Sequence, residues 1–130
     1  MKATELRIGN LVGFVRPENT DEITGIFNGD NGEYLIKTKF LSGIPIGDYQ
    51  PIPLTEEWLI KAGFSKINLE FANRFVLCGI CIYETFNMKH EREGFHADVH
   101  VLVNLEHVHQ LQNLYFALTG KELTFKTKVE

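Results

Sequence analysis

Cys78-Gly-Ile-Cys81 is followed after fourteen residues by His96 and then by His100. Two thiolates and two imidazoles make a tetrahedral zinc set, and the spacing fits the loose two-Cys, two-His pattern. A finger of that class, however, carries its histidines one helical turn apart. Here Phe95-His-Ala-Asp-Val-His-Val-Leu-Val103 alternates like a strand, with Phe95, Ala97, Val99, Val101 and Val103 inward. Both cysteines also stand in an apolar run, where small thiols serve as core residues. A thioredoxin-type redox pair opens a helix after a strand, whereas this pair is expected inside a strand or at a bulge. No cofactor is therefore expected, zinc being the metal that the pattern would take.

The same strand offers a second chemistry. His96, Asp98 and His100 project from one face at two-residue spacing and could bind a divalent metal, with His90, His107 or His109 supplying further ligands. A metal-dependent hydrolase built there would also need a positioned acid or base and an open coordination site. The sequence identifies neither, and a polar outward face is what any half-buried strand shows. Ser42 and Ser65 lack a nucleophile elbow, and Asn28-Gly-Asp-Asn-Gly32 has turn chemistry but no following helix to cradle a phosphate. Glu56 and Glu57 read as helix N-terminal charges. The expectation is a protein that is not an enzyme.

At 130 residues the chain has the length of a single domain, residues 1–130, with a β-rich part over 1–50 and a helix, a sheet and a second helix over 51–130. Its 44% hydrophobic and 23% charged residues exclude disorder as a general description. A net charge of −4 disfavours general nucleic-acid binding, and Lys121, Lys126 and Lys128 read as a solvated edge. The N-terminus enters polar sequence at once and no apolar stretch reaches membrane-spanning length, which predicts a cytoplasmic protein with reduced cysteines and no membrane partner.

Short strands are expected at Leu11–Val15, Glu22–Phe27 and Tyr34–Lys37, with Asn28–Gly32 as a hairpin turn. They suggest a small curved antiparallel sheet or SH3-like barrel. The prolines of Ile44–Pro53 forbid regular helix and predict an ordered connector. Thr55 is the expected N-cap of a two-turn helix that ends at Gly63 and is pinned by Trp58, Leu59 and Ala62. Strands follow at Ile67–Phe71, Arg74–Phe86 and Phe95–Val103, with a last one at Leu123–Lys128. The fold class is α+β, with antiparallel strands and a C-terminal amphipathic helix packed on the sheet.

That last helix, from Asn104 to a Gly120 stop, places Leu105, Val108, Leu111, Leu114, Tyr115, Phe116 and Leu118 on one arc. Glu106, His109, Gln110 and Asn113 take the other side. Gln112 breaks the apolar arc, and an amide so close to a buried face must tie the helix to a neighbouring backbone.

Three segments carry a resemblance: Glu5-Leu-Arg-Ile-Gly-Asn10 with Val12, Pro51-Ile-Pro-Leu-Thr-Glu-Glu-Trp-Leu59 through Phe64, and Val108-His-Gln-Leu-Gln-Asn-Leu-Tyr-Phe-Ala-Leu-Thr-Gly120 with Glu122 and Leu123. In these the chain resembles an uncharacterised family of small proteins from gut-bacterial genomes and their phages or prophages. The resemblance implies an accessory protein of a mobile element and marks His109, Gln110, Gln112, Asn113 and Tyr115 as polar positions of a signature helix. It carries no activity. The expected function is therefore non-catalytic binding of a protein or nucleotide ligand through His109, Gln110, Asn113, Tyr115 and Tyr83, in a monomer or a homo-oligomer. The alternative is a phage counter-defence protein that sequesters a nucleotide signal, with Arg7, Arg16, Arg74 and Arg92 as candidate guanidinium donors.

Overall fold

The computed structural model describes residues 1–87, 89, 91–98 and 102–126. Five strands come first: β1 (Leu11–Phe14), β2 (Thr20–Asn28), β3 (Tyr34–Thr38), β4 (Ile44–Pro45) and β5 (Tyr49–Gln50). Helix α1 (Glu56–Lys61) leads to β6 (Ser65–Asn68), β7 (Ala72–Leu77), β8 (Ile80–Phe86), β9 (Arg92–Asp98), β10 (Leu102–Leu105) and helix α2 (Val108–Thr119). The result is the expected α+β class: two five-stranded antiparallel sheets and a C-terminal helix. The chain divides into two compact units, Met1–Pro53 with His107–Glu122, and Leu54–Glu106 with Leu123–Glu130. Sequence pattern put the first boundary at residue 50 and grouped the last helix with the second sheet. The structure groups α2 with the N-terminal strands, because its buried residues meet β1.

In the first unit the strand order is β4-β3-β2-β1-β5, a meander whose last strand returns beside β1 as in an SH3-like sheet. Alternation buries Val12, Ile23, Ile36 and Tyr49 around one core, to which Leu6 adds its side chain. The Asn28–Gly32 turn forms as expected, closed by the Gly29 N–H donating to Glu33 O at 2.6 Å. After β1 the chain folds back so tightly that a Cβ on Gly13 would stand 2.3 Å from Arg16 O, which only glycine tolerates. The proline-rich connector, expected to be ordered, also carries regular structure. It holds two short strands and a 3-10 turn over Ile46–Asp48, because extended residues beside proline pair readily at a sheet edge.

In the second unit the order is β10-β9-β8-β7-β6. Thr55 caps α1 by accepting the Trp58 N–H, and Gly63 follows at φ +100°. Leu59, Phe64, Phe75, Ile82, Phe95 and Ala97 are buried. Three sequence expectations change here. Arg74–Phe86 is not one strand: Cys78 and Gly79, at φ +50° and +80°, form a two-residue hairpin turn between β7 and β8. The span Phe95–Val103 also reverses, since Leu102 pairs with Asp98 and Val103 with Ala97. Asn104 consequently lies in β10 opposite His96, and the last helix starts three residues later than its Asn suggested, with His107 as N-cap. No strand forms over residues 123–126, and the rest of that expected strand lies outside the described residues.

Candidate functional site

The polar residues of α2 face inward, onto the segment that precedes β1. Gln112 is buried and its amide is fully used: Oε1 accepts the Leu11 N–H at 2.8 Å and Nε2 donates to Gly9 O at 2.9 Å. The expected tie to a neighbouring backbone is thus present. The next residue continues the pattern: Asn113 Nδ2 donates to Glu5 O at 2.9 Å, and its Oδ1 accepts both Asn10 Nδ2 at 2.8 Å and Arg7 Nε at 3.1 Å. Asn10, wholly buried, also accepts the Arg7 N–H through Oδ1 at 2.7 Å. Arg7 completes the set by pairing with Glu122 through both guanidinium nitrogens and by lying 4.4 Å from the centre of the Phe116 ring.

His109, expected on the solvent side, has no exposed surface. Its Nε2 lies 3.2 Å from Glu5 Oε1, its ring stacks on His107 at 5.6 Å, and its Nδ1 is buried without a partner among the described residues. The network assigns the proton to Nε2, which donates to the carboxylate and leaves Nδ1 as an unused acceptor. Burial pushes the imidazole pKa below its ordinary value, outweighing the attraction of Glu5. Gln110 Oε1 accepts the His107 N–H at 3.0 Å and closes the first turn of α2. Tyr115 is half-buried on the same helix, whereas Phe116 and Leu118, expected on the buried arc, are exposed. The apolar stripe is narrower than the helical wheel suggested because buried amides and an imidazole take part of it.

Tyr83 belongs to the second unit, in a different setting. Antiparallel register aligns Ile67 with Arg74, Arg74 with Tyr83, Tyr83 with His96, and His96 with Asn104. These five residues form one row across all the strands of the second sheet. Their neighbours Phe75, Ile82, Phe95 and Ala97 point to the buried face, so the row lies on the opposite, solvent-facing side. Arg74, Tyr83 and His96 are half-buried, while Ile67 and Asn104 are exposed. His96 Nδ1 is 2.6 Å from Asn104 Oδ1, and Arg74 Nη2 donates to Cys81 Sγ at 3.4 Å. Arg74 Nε has no hydrogen-bond acceptor among the described residues.

Cys81 on β8 and Asp98 on β9 lie on the same face as the row, two residues along from Tyr83 and His96. His96 and Asp98 therefore share a face as expected; His100 and His90 lie outside the described residues. No three His, Cys, Asp or Glu side chains gather at one point among the described residues. Cys78 is exposed in the hairpin turn and Cys81 is half-buried on β8, so neither is the core residue that the apolar run suggested. The Arg74–Tyr83 pairing escaped sequence reading because it depends on the turn at Cys78-Gly79, which lacks the usual Asn-Gly signal.

Comparison with protein-family models, with curated proteins and with solved structures finds no match. Among the described residues no helix is long and apolar enough to cross a membrane.

Replacing Gln112 by Ala orphans two backbone groups at about 1–3 kcal/mol each, for an expected loss of about 2–4 kcal/mol in urea unfolding. Gln112→Met, which restores bulk without polarity, should recover little of it. The pH dependence of His109 follows from its lowered pKa. The unfolded chain takes up a proton as pH falls through the ordinary histidine range, about 6.5, while the buried native ring resists it. This group's contribution to stability is therefore full above that range and declines below it. The stability difference between the native protein and His109→Gln should shrink from pH 7.5 to pH 5.5.

Proposed function

We propose that the chain is a non-catalytic binding protein, an accessory protein of a phage or other mobile element, acting in the cytoplasm through a side-chain surface. One observation carries this reading. The amides of α2 that first suggested a ligand surface are engaged with the N-terminal turn, whereas the second sheet turns an arginine, a tyrosine, a histidine and an asparagine toward solvent in a single row. The binding surface is accordingly assigned to the second sheet, and His109, Gln110 and Asn113 are assigned to holding the fold. Tyr115, half-buried on α2, stays a secondary contact candidate.

A second reading, sequestration of a nucleotide signal in phage counter-defence, draws on Arg74. Of the four arginines, Arg7 is paired with Glu122 and Arg92 with Glu84 at 3.0 Å. Arg74 has no carboxylate within ion-pair distance among the described residues, and a guanidinium beside a phenol suits a phosphate beside a base. The metal-dependent hydrolase alternative draws on His96 and Asp98 alone.

Native mass spectrometry of the purified protein, before and after a chelator and after exposure to a nucleotide-rich cell extract, separates these roles. The expected result is a stoichiometric small-molecule or protein adduct unaffected by chelator and released unchanged. A metal mass lost to chelator together with turnover of a phosphoester substrate would replace the binding role with the hydrolase.

A further inference from the structure

We infer that the solvent-facing row of the second sheet is a site for a phosphorylated nucleoside, with Arg74 on the phosphate, Tyr83 under the base, and His96 and Asn104 at the base edge. This rests on the reading of the chain as a binding protein and names the ligand class of that surface.

Charge comes first. Arg74 is a permanent cation whose hydrogen-bond partner among the described residues, Cys81 Sγ at 3.4 Å, is a weak acceptor that orients the guanidinium without neutralising it. Its nearest carboxylate on this face by register is Asp98, on β9, two strands from β7. Strand spacing puts that separation at roughly 10 Å, so the cation is open to an anionic ligand. A pair of oxygens on one phosphate or carboxylate is what a guanidinium recognises with two parallel hydrogen bonds.

Geometry comes second. Adjacent strands lie about 4.8 Å apart, which sets Tyr83 one spacing and His96 about 10 Å from Arg74. That is the reach of a nucleoside monophosphate from its phosphorus to the far edge of its base. The aromatic ring stands where the ring of such a ligand would stack, a contact that every base can make. The His96 and Asn104 side chains, joined at 2.6 Å, bring donors and acceptors to the end of the row.

A single cation decides between a small nucleotide and a nucleic-acid strand. A polyanion is held by several phosphate contacts, and the row supplies one guanidinium in a chain of net charge −4. The small ligand is the one that matches.

The test is a titration of isotope-labelled protein with AMP and GMP, with adenosine, with inorganic phosphate and with a short single-stranded oligonucleotide, followed by amide chemical shifts. The mononucleotides should give saturable shifts confined to β7, β8 and β9, with adenosine and phosphate at least about tenfold weaker. Arg74→Gln should weaken mononucleotide binding by about tenfold or more while the remaining spectrum and the unfolding midpoint hold. Tyr83→Ala should do likewise and Tyr83→Phe should not, which keeps the site testable should Arg74→Gln fail to fold. Silence with both mononucleotides at millimolar concentration overturns the inference, as does unchanged affinity in Arg74→Gln and Tyr83→Ala. Much tighter binding of the oligonucleotide overturns it in favour of a nucleic-acid surface. A protein adduct in the native mass spectrum with mononucleotides silent leaves the binding role standing and removes only the nucleotide.

Discussion

A buried amide must find both a donor and an acceptor, and Gln112 finds them in the backbone of the turn that opens β1. The placement of α2 in its unit depends on that pairing. With Leu11 N and Gly9 O fixed, Asn113 comes within reach of Glu5, Arg7 and Asn10, and Arg7 within reach of Glu122 beyond the end of the helix. The same turn feeds the sheet, since Gly9 N donates to Ile23 O at 2.8 Å and Asn10 O accepts the Ile23 N–H at 2.9 Å. One polar lock thus connects helix, turn and the first two strands. Hydrophobic burial of Leu6, Val12 and Ile23 supplies non-directional cohesion, and the hydrogen bonds choose a single arrangement.

Three segments of the chain meet in this lock. Glu5–Asn10 and Val108–Gly120 supply its side chains, and Ile52 O, in the remaining segment, accepts the Val108 N–H at 2.8 Å. A polar residue on an amphipathic helix invites a functional reading, but hydrogen-bond accounting assigns most of these amides to the interior. The row on the second sheet has the opposite character: its side chains are brought together by strand register alone.

What could be read from the sequence was local. Thr55 and Gly63 bracket α1, Gly120 at φ +72° ends α2, Asn28–Gly32 turns β2 into β3, and the misplaced polarity of Gln112 foretold its hydrogen bonds. What failed was non-local or atypical. Alternation runs on from Phe95 to Val101, so periodicity could not register a reversal between Asp98 and Leu102. Cys78 takes a left-handed conformation that Asn usually fills, hiding a hairpin inside an apolar run. His109 carries no local mark of burial, since only the arrival of Glu5 from a distant part of the chain gives its imidazole a partner.

The claim that the α2 polar residues are a structural lock is tested most directly by a double-mutant cycle on Arg7 and Asn113, using Arg7→Ala, Asn113→Ala and the double variant in urea unfolding. A lock shared by the two side chains predicts a coupling energy of about 1 kcal/mol or more, with the double variant losing less than the sum of the single ones. Additivity within about 0.5 kcal/mol would mean that the two side chains act independently, and would contradict the account.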